Sequence, residues 1–195
     1  MAFFADSGAG GFEPKRQFRF LINFPELSNV QFMAKTAKKP SYELGSTEHK
    51  VLNHTFKFPS TVTWQDIDVT FIDAVEPNVG SKFYNSLIAA GYLPPSTEGN
   101  LLTGITKVNS VRALGEVVIK QLDGGGVILE PGADPTQAVV ESTNILEEWT
   151  LKNAFIKSVD FGDFSYDSED LVEVSVGITY DWAVYSAPNS AYESG

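Results

Sequence analysis

Few residues in this chain have the type and spacing for chemistry, and each group has a plainer role to set against it. Asp66 and Asp68 stand two apart in a strand-like run, so both carboxylates fall on one face. Paired carboxylates are what glycoside hydrolysis requires. A solvated sheet face uses them equally well, and no pattern of aromatic subsites accompanies them. His49 and His54 are five apart, an odd separation that sends strand side chains to opposite faces and away from a shared metal. No carboxylate completes a facial triad with them. The cluster Asp163, Asp167, Glu169 and Asp170 suggests calcium, but it lacks the Asp-x-Asp-x-Asp-Gly spacing and the glycine at its sixth position. It reads as a turn kept soluble by carboxylates. Asp123-Gly-Gly-Gly126 has neither the lysine nor the following helix of a phosphate-cradling loop. There is no cysteine, hence no thiol nucleophile, thiolate site or disulfide framework, which fits a reducing compartment. There is no G-x-S-x-G elbow either. The expectation is a protein without catalytic residues, cofactor or metal.

What must position these residues is a β-rich chain. Its 195 residues suffice for one domain with a substantial core, and the 12% aromatic content is incompatible with a wholly disordered chain. With 25 acidic against 14 basic side chains the net charge is −11, the wrong sign for a reader of nucleic-acid sequence. No run approaches the ~20 apolar residues of a membrane span. The opening MAFFADSGAGGFEPKRQF has no basic region followed by a long apolar run, so no secretory signal is expected.

Residues 1–15 form a Gly-rich arm with Phe3, Phe4 and Phe12 as anchors. Alternation then predicts strands at 16–24 (Phe18, Phe20, Ile22 and Phe24 on one face), 30–38, 51–58 and 64–72. Pro25, Pro40 and Pro59 punctuate them, and 41–48 reads as an exposed loop. Val79, Phe83 and Leu87 recur every four residues between a capping Asn78 and a closing Gly91, which predicts one helix. A surface excursion follows at 92–109. Further strands are expected at 111–122, 127–129, 149–161 and 171–182, with a Pro- and Gly-rich loop at 130–144. In the last strand Val172, Val174, Val176, Ile178, Tyr180 and Trp182 share one face. The tail from 186 is small and polar.

The run ILEEWTLKNAFIKSVDFGDFSYDSEDLVEVSVGITYDWAVY closely resembles the end of tail tube proteins of contractile-tailed bacteriophages. The parts that carry the likeness are Trp149-x-Leu151, Asn153-Ala-Phe-Ile156, Val159-x-Phe161-Gly162, Tyr166 and Tyr180-Asp181-Trp182. RFLINFPELSNVQFMAKTAKKPSYEL is similar to the family's opening, followed in order by the Trp64 strand and the helix. The resemblance implies a mainly β fold with one helix, two packed antiparallel sheets closing toward a barrel or sandwich, as in type VI secretion tube proteins. It covers a single domain at 16–185 with insertions near 92–110 and 130–144. It further implies hexameric rings stacked into a tube inside a contractile sheath. The genome would pass through this virion tail component, which assembles in the host cytoplasm. Its partners would be sister copies, the tail sheath protein, and baseplate and tail-terminator proteins, while DNA passes without specific binding.

For such a conduit the candidate lumen-facing residues are Asp66, Asp68, Glu173, Ser175, Thr179 and Asp181, polar sides of two strands whose carboxylates would repel phosphates. The candidate inter-ring loop carries Lys38, Lys39, Glu43 and Glu48, opposite charges suited to head-to-tail stacking. Competing readings are a baseplate tube initiator, a tube subunit of a non-phage injection machine, and a β-sandwich binding or decoration module. An enzyme stands behind them, supported only by Asp66 and Asp68.

Overall fold

The computed structural model describes residues 15–27, 30–94, 104–122, 145–167 and 169–187. The expected arm up to residue 14, the turn at 123–126 and its return strand, the loop at 130–144 and the tail from 188 lie outside them, as does 95–103 of the excursion.

Alternating apolar residues build two four-stranded antiparallel sheets. The first has the order β1 (Phe20–Asn23), β6 (Val117–Leu122), β7 (Ile145–Lys152) and β10 (Trp182–Ser186). The second has β2 (Ala34–Ala37), β5 (Ile67–Ile72), β9 (Glu173–Thr179) and β8 (Phe155–Asp160). In its centre Ile67, Val69 and Phe71 lie opposite Ile178, Val176 and Val174, all fully buried. They pack with Ile22, Val117, Ile119 and Leu151 of the first sheet in one core. Each such side chain contributes about 1.5–3 kcal/mol by leaving water. The fold is mainly antiparallel β and sandwich-like; among the described residues the sheets do not close into a barrel, and β1, β10, β2 and β8 remain edges.

The expected helix is α1 (Val79–Ala89), with Asn78 Oδ1 accepting from the Ser81 N–H at 2.6 Å and Gly91 at φ 110° closing it. It sends Val79 and Phe83 into the core. Phe83 completes an aromatic cluster, its ring centroid 5.2 Å from Phe71 and 6.3 Å from Phe24.

Several expected boundaries are corrected. The strand read at 111–122 begins as a second helix, α2 (Lys107–Leu114), capped by Thr106 Oγ1 and ended at Gly115, φ 74°. Only its second half is strand. The strand read at 30–38 opens with a 3₁₀ turn, Gln31–Met33. The runs 149–161 and 171–182 each break and cross between sheets, one at Asn153 (φ 55°), the other at Tyr180–Asp181. Both sheets face the same core, so inward alternation carries through each corner and hides the break. The largest correction is at 41–48, which is no loop. It belongs to β3 (Ser41–Val51), paired along its length with β4 (His54–Gln65) in a two-stranded ribbon. Pro59 does not end β4, because it sits beside a register shift on a two-stranded ribbon, where the N–H that proline lacks is not required by any further strand. Leu52 at φ 51° makes the turn.

Candidate assembly interface

The outer face of the second sheet gathers residues from two strands far apart in sequence. Asp68 lies opposite Gly177, Thr70 opposite Ser175, and Ile72 opposite Glu173. Asp66, between β4 and β5, accepts from Thr179 Oγ1 at 2.9 Å and from Lys157 Nζ at 2.6 Å. Five of the six candidate lumen residues, Asp66, Asp68, Glu173, Ser175 and Thr179, therefore share this face. Strands β8 and β9 approach closely here: a side chain at Gly177 would meet Ser158 Oγ at 2.5 Å.

The face is polar, but its charge is partly balanced. Lys157 bonds Asp66, and Lys35 bonds Glu173. The hydrogen bond from Lys157, reinforced by Thr179, holds the Asp66 carboxyl below its usual range, and Asp66 in turn raises Lys157. The outward negative field is thus weaker than a count of its carboxylates suggests.

Asp181 sits apart from the other five, at the corner between β9 and β10. It receives Lys107 Nζ at 2.7 Å on both oxygens and Asn153 Nδ2 at 2.8 Å, while its own N–H donates to Lys152 O. Lys107 first, then Asn153, lowers its pKa. It ties α2 and both sheet-crossing corners together.

The candidate inter-ring residues spread along the ribbon. Lys38 and Lys39 stand at its root, Glu43 in its inner half and Glu48 near its tip, where Lys57 lies 3.5 Å away. The ribbon projects into solvent with every residue exposed except Trp64 and Gln65. Its register places Tyr42 opposite Trp64 and Leu44 opposite Val62 on one side of the root. Past the register shift at Gly45, Phe58 and Phe56 alternate with Lys57, and pair with Thr47 and His49, so the apolar side of the outer half is the opposite one. Trp64 anchors the root, 6.0 Å from the buried Tyr180 ring. His49 and His54 are exposed members of this outer half. A two-stranded ribbon with apolar groups in water is marginal by itself and gains from a covering surface.

Glu147 was not among the candidates. It is nearly buried on β7 and holds Lys15 Nζ at 2.5 Å and Lys39 Nζ on its two oxygens. Burial pushes its pKa up, but the two lysines outweigh this and the net shift is downward. Its place in Ile145-x-Glu147-x-Trp149-x-Leu151, the alternation that carries the buried side of β7, is the signal that it faces inward. A groove between α1, α2 and β8, lined by Phe83, Tyr84, Leu87, Tyr92, Ile105 and Phe161, was also not foreseen. Among the described residues no group of three or more His, Cys, Asp or Glu side chains is placed to hold a metal, and no helix is long and apolar enough to cross a membrane.

Among the described residues the chain is an antiparallel sandwich with four edge strands, a polar outer face on its second sheet and a projecting ribbon. The same fold occurs in chains of contractile injection machines. One chain of the anti-feeding prophage tube-terminating cap aligns at TM-score 0.57 and 16% identity, covering 96% of this chain and 99% of that one. One from the sheath/tube terminator of the extracellular contractile injection system PVC, in its extended state, aligns at 0.59 and 14%, covering 90% and 99%. A third, from the six-fold symmetrised anti-feeding prophage baseplate, aligns at 0.59 and 12%, covering 91% and 99%. At these identities the likeness is one of fold. No protein-family model and no curated protein sequence matches the chain.

Proposed function

We propose that this chain is a structural subunit of the inner tube of a contractile injection machine, without catalytic function. Its copies join the edges of the second sheet, β2 of one to β8 of the next, and so finish a sheet that each leaves open. The observation that carries this reading is the combination, among the described residues, of two unpaired edges with a polar outer face on the same sheet. Closing such a sheet around an axis turns that face to the lumen.

In the finer reading the rings are hexamers of a phage tail tube, acting at 16–185 as one domain with its insertions turned to the sheath or to adjacent rings. They stack through the β3–β4 ribbon and conduct the genome during ejection from the virion. Support comes from the sequence resemblance over 19–44 and 145–185 and from the net charge of −11. Lys38, Lys39, Glu43 and Glu48 belong to the stacking contact. Lys39 also engages Glu147 and Glu48 faces Lys57, so the apolar groups of the ribbon supply most of the adhesion.

Negative-stain microscopy and mass photometry of the purified chain test this. Six-fold rings or rods are expected, rods for a bulk tube subunit and discrete rings for a terminal or initiating one. A monomer at every concentration up to the solubility limit would overturn the proposal.

A further inference from the structure

Among the described residues Glu147 is the only buried carboxylate, its side chain 9% exposed. Directly opposite it in the register, on β6, stands Gln121, which is buried as well. The two side chains hold different parts of the chain. Gln121 Nε2 donates to Arg16 O at 2.8 Å and to Arg19 O at 2.7 Å, which fixes the turn leading into β1. Glu147 accepts from Lys15 Nζ on Oε2 at 2.5 Å and from Lys39 Nζ on Oε1. Lys15 belongs to the segment before that turn. Lys39 belongs to the root of the β3–β4 ribbon, two residues before Ser41. The neighbouring Lys38 N–H donates to Asp68 O at 3.0 Å, and Pro40 is buried. Beyond Pro40 the ribbon enters water, so the bond from Lys39 is one of the ties that hold its root against the sandwich.

The lysines are each about half exposed, at 48% and 50%, so either can leave for water at small cost. They are not independent. Two positive charges meet one negative charge and repel each other across it. The carboxylate, nearly out of water, has a strong need for a cation of its own. Removing one lysine ends the repulsion and leaves the other as sole counter-ion. The bond that remains therefore tightens.

We propose that Glu147 is a clasp for which the segment before β1 and the root of the ribbon compete. While Lys15 is bound, Lys39 holds the root loosely. When Lys15 is withdrawn, Lys39 takes the carboxylate alone and the ribbon is fixed against the body. The Lys15 contact is thus a restraint, and whatever draws residue 15 away orders the ribbon. The device works within one chain and does not depend on the tube reading. In a tube it readies the ribbon for stacking once a neighbour engages the segment before β1.

Hydrogen exchange of the full-length chain, kept dilute enough to be monomeric, reads the opening of the root directly. In Lys15→Gln, exchange at 41–44 and 62–65 slows by roughly threefold or more, while the core strands β5 and β9 are unchanged. In Lys39→Gln the same root amides exchange faster. Adding Lys15→Gln to the Lys39→Gln chain then has no further effect on the root, because the competitor it would favour is gone. Glu147→Gln abolishes the response to Lys15→Gln in the same way, and if that variant fails to fold by circular dichroism the Lys39→Gln background decides alone. Root exchange that is unchanged or faster in Lys15→Gln would overturn the clasp, as would an effect of Lys15→Gln that survives without Lys39. Either result leaves the tube reading intact, since no assembly is measured. A chain that never forms rings overturns the tube reading and leaves the clasp standing.

Discussion

Three carboxylates in this protein do work that their exposed neighbours do not. Asp66, Asp181 and Glu147 each join segments remote in sequence, and each has its pKa lowered by the cations it holds. A carboxylate with a lowered folded-state pKa adds stability that is complete above its unfolded value and lost as pH falls through the folded one. The urea midpoint should therefore hold from pH 7 to about 5 and drop below about 4, where these groups begin to protonate in the unfolded chain. Asp181→Asn should lower the midpoint at pH 7 and flatten part of the acid slope. Its effect should stay near ~1 kcal/mol, because Lys107 is largely in water and re-solvates. An unchanged slope in Asp181→Asn would show that the corner is held without the ion pair. The alternation that put Asp66 and Asp68 on one side was readable from sequence, as was that of Glu173, Ser175 and Thr179. That the two sets share one sheet face was not, since it depends on the pairing of β5 with β9 across a separation of about a hundred residues. Asp181 continued the alternation of β9 on paper, but the chain turns into the other sheet just there.

Among the elements, α1 was legible because cap, period and stop agree over a short local stretch. The β3–β4 ribbon was not, because its strands bury almost nothing and so show no consistent apolar side. The switch at Gly45 cancels what alternation there is, and Pro59 stands where a strand would normally end. The signals for α2, Thr106 and Gly115, were present but outweighed by a Val-rich run that suits a strand equally well. The ribbon and the core should respond oppositely to mutation. Phe56→Ser with Phe58→Ser should alter unfolding stability by about 0.5 kcal/mol or less, since both rings are half in water, yet stop rings from stacking. Phe83→Ala should cost about 3–5 kcal/mol by emptying a fully packed site between Phe24 and Phe71. Urea titration and microscopy on the two variants separate these roles. Stacked rods from the ribbon variant would remove the ribbon from the inter-ring contact.

At the scale of the whole molecule, charge is the property that a conduit must control. The net −11 is not spread evenly: the run 161–171 carries four carboxylates and no Lys or Arg, while the outer face of the second sheet is a mixture. Lys35 and Lys157 on that face are each neutralised by a carboxylate, which leaves it mildly acidic rather than strongly so. A polyanion moving along such a wall is neither captured nor forced away, whereas unpaired lysines would bind phosphates by releasing counterions. The consequence is measurable in assembled tubes without a complete virion. Asp68→Lys with Ser175→Lys adds cations on β5 and β9 away from both edges of the sheet, so ring formation should persist. The resulting tubes should retain double-stranded DNA at low salt and release it as salt rises, with a steep fall of affinity against salt concentration. Wild-type tubes should retain none across the same range. Equal retention by both, at every salt concentration, would mean that this face does not line the channel, and the lumen would then have to be sought on the other side of the sandwich.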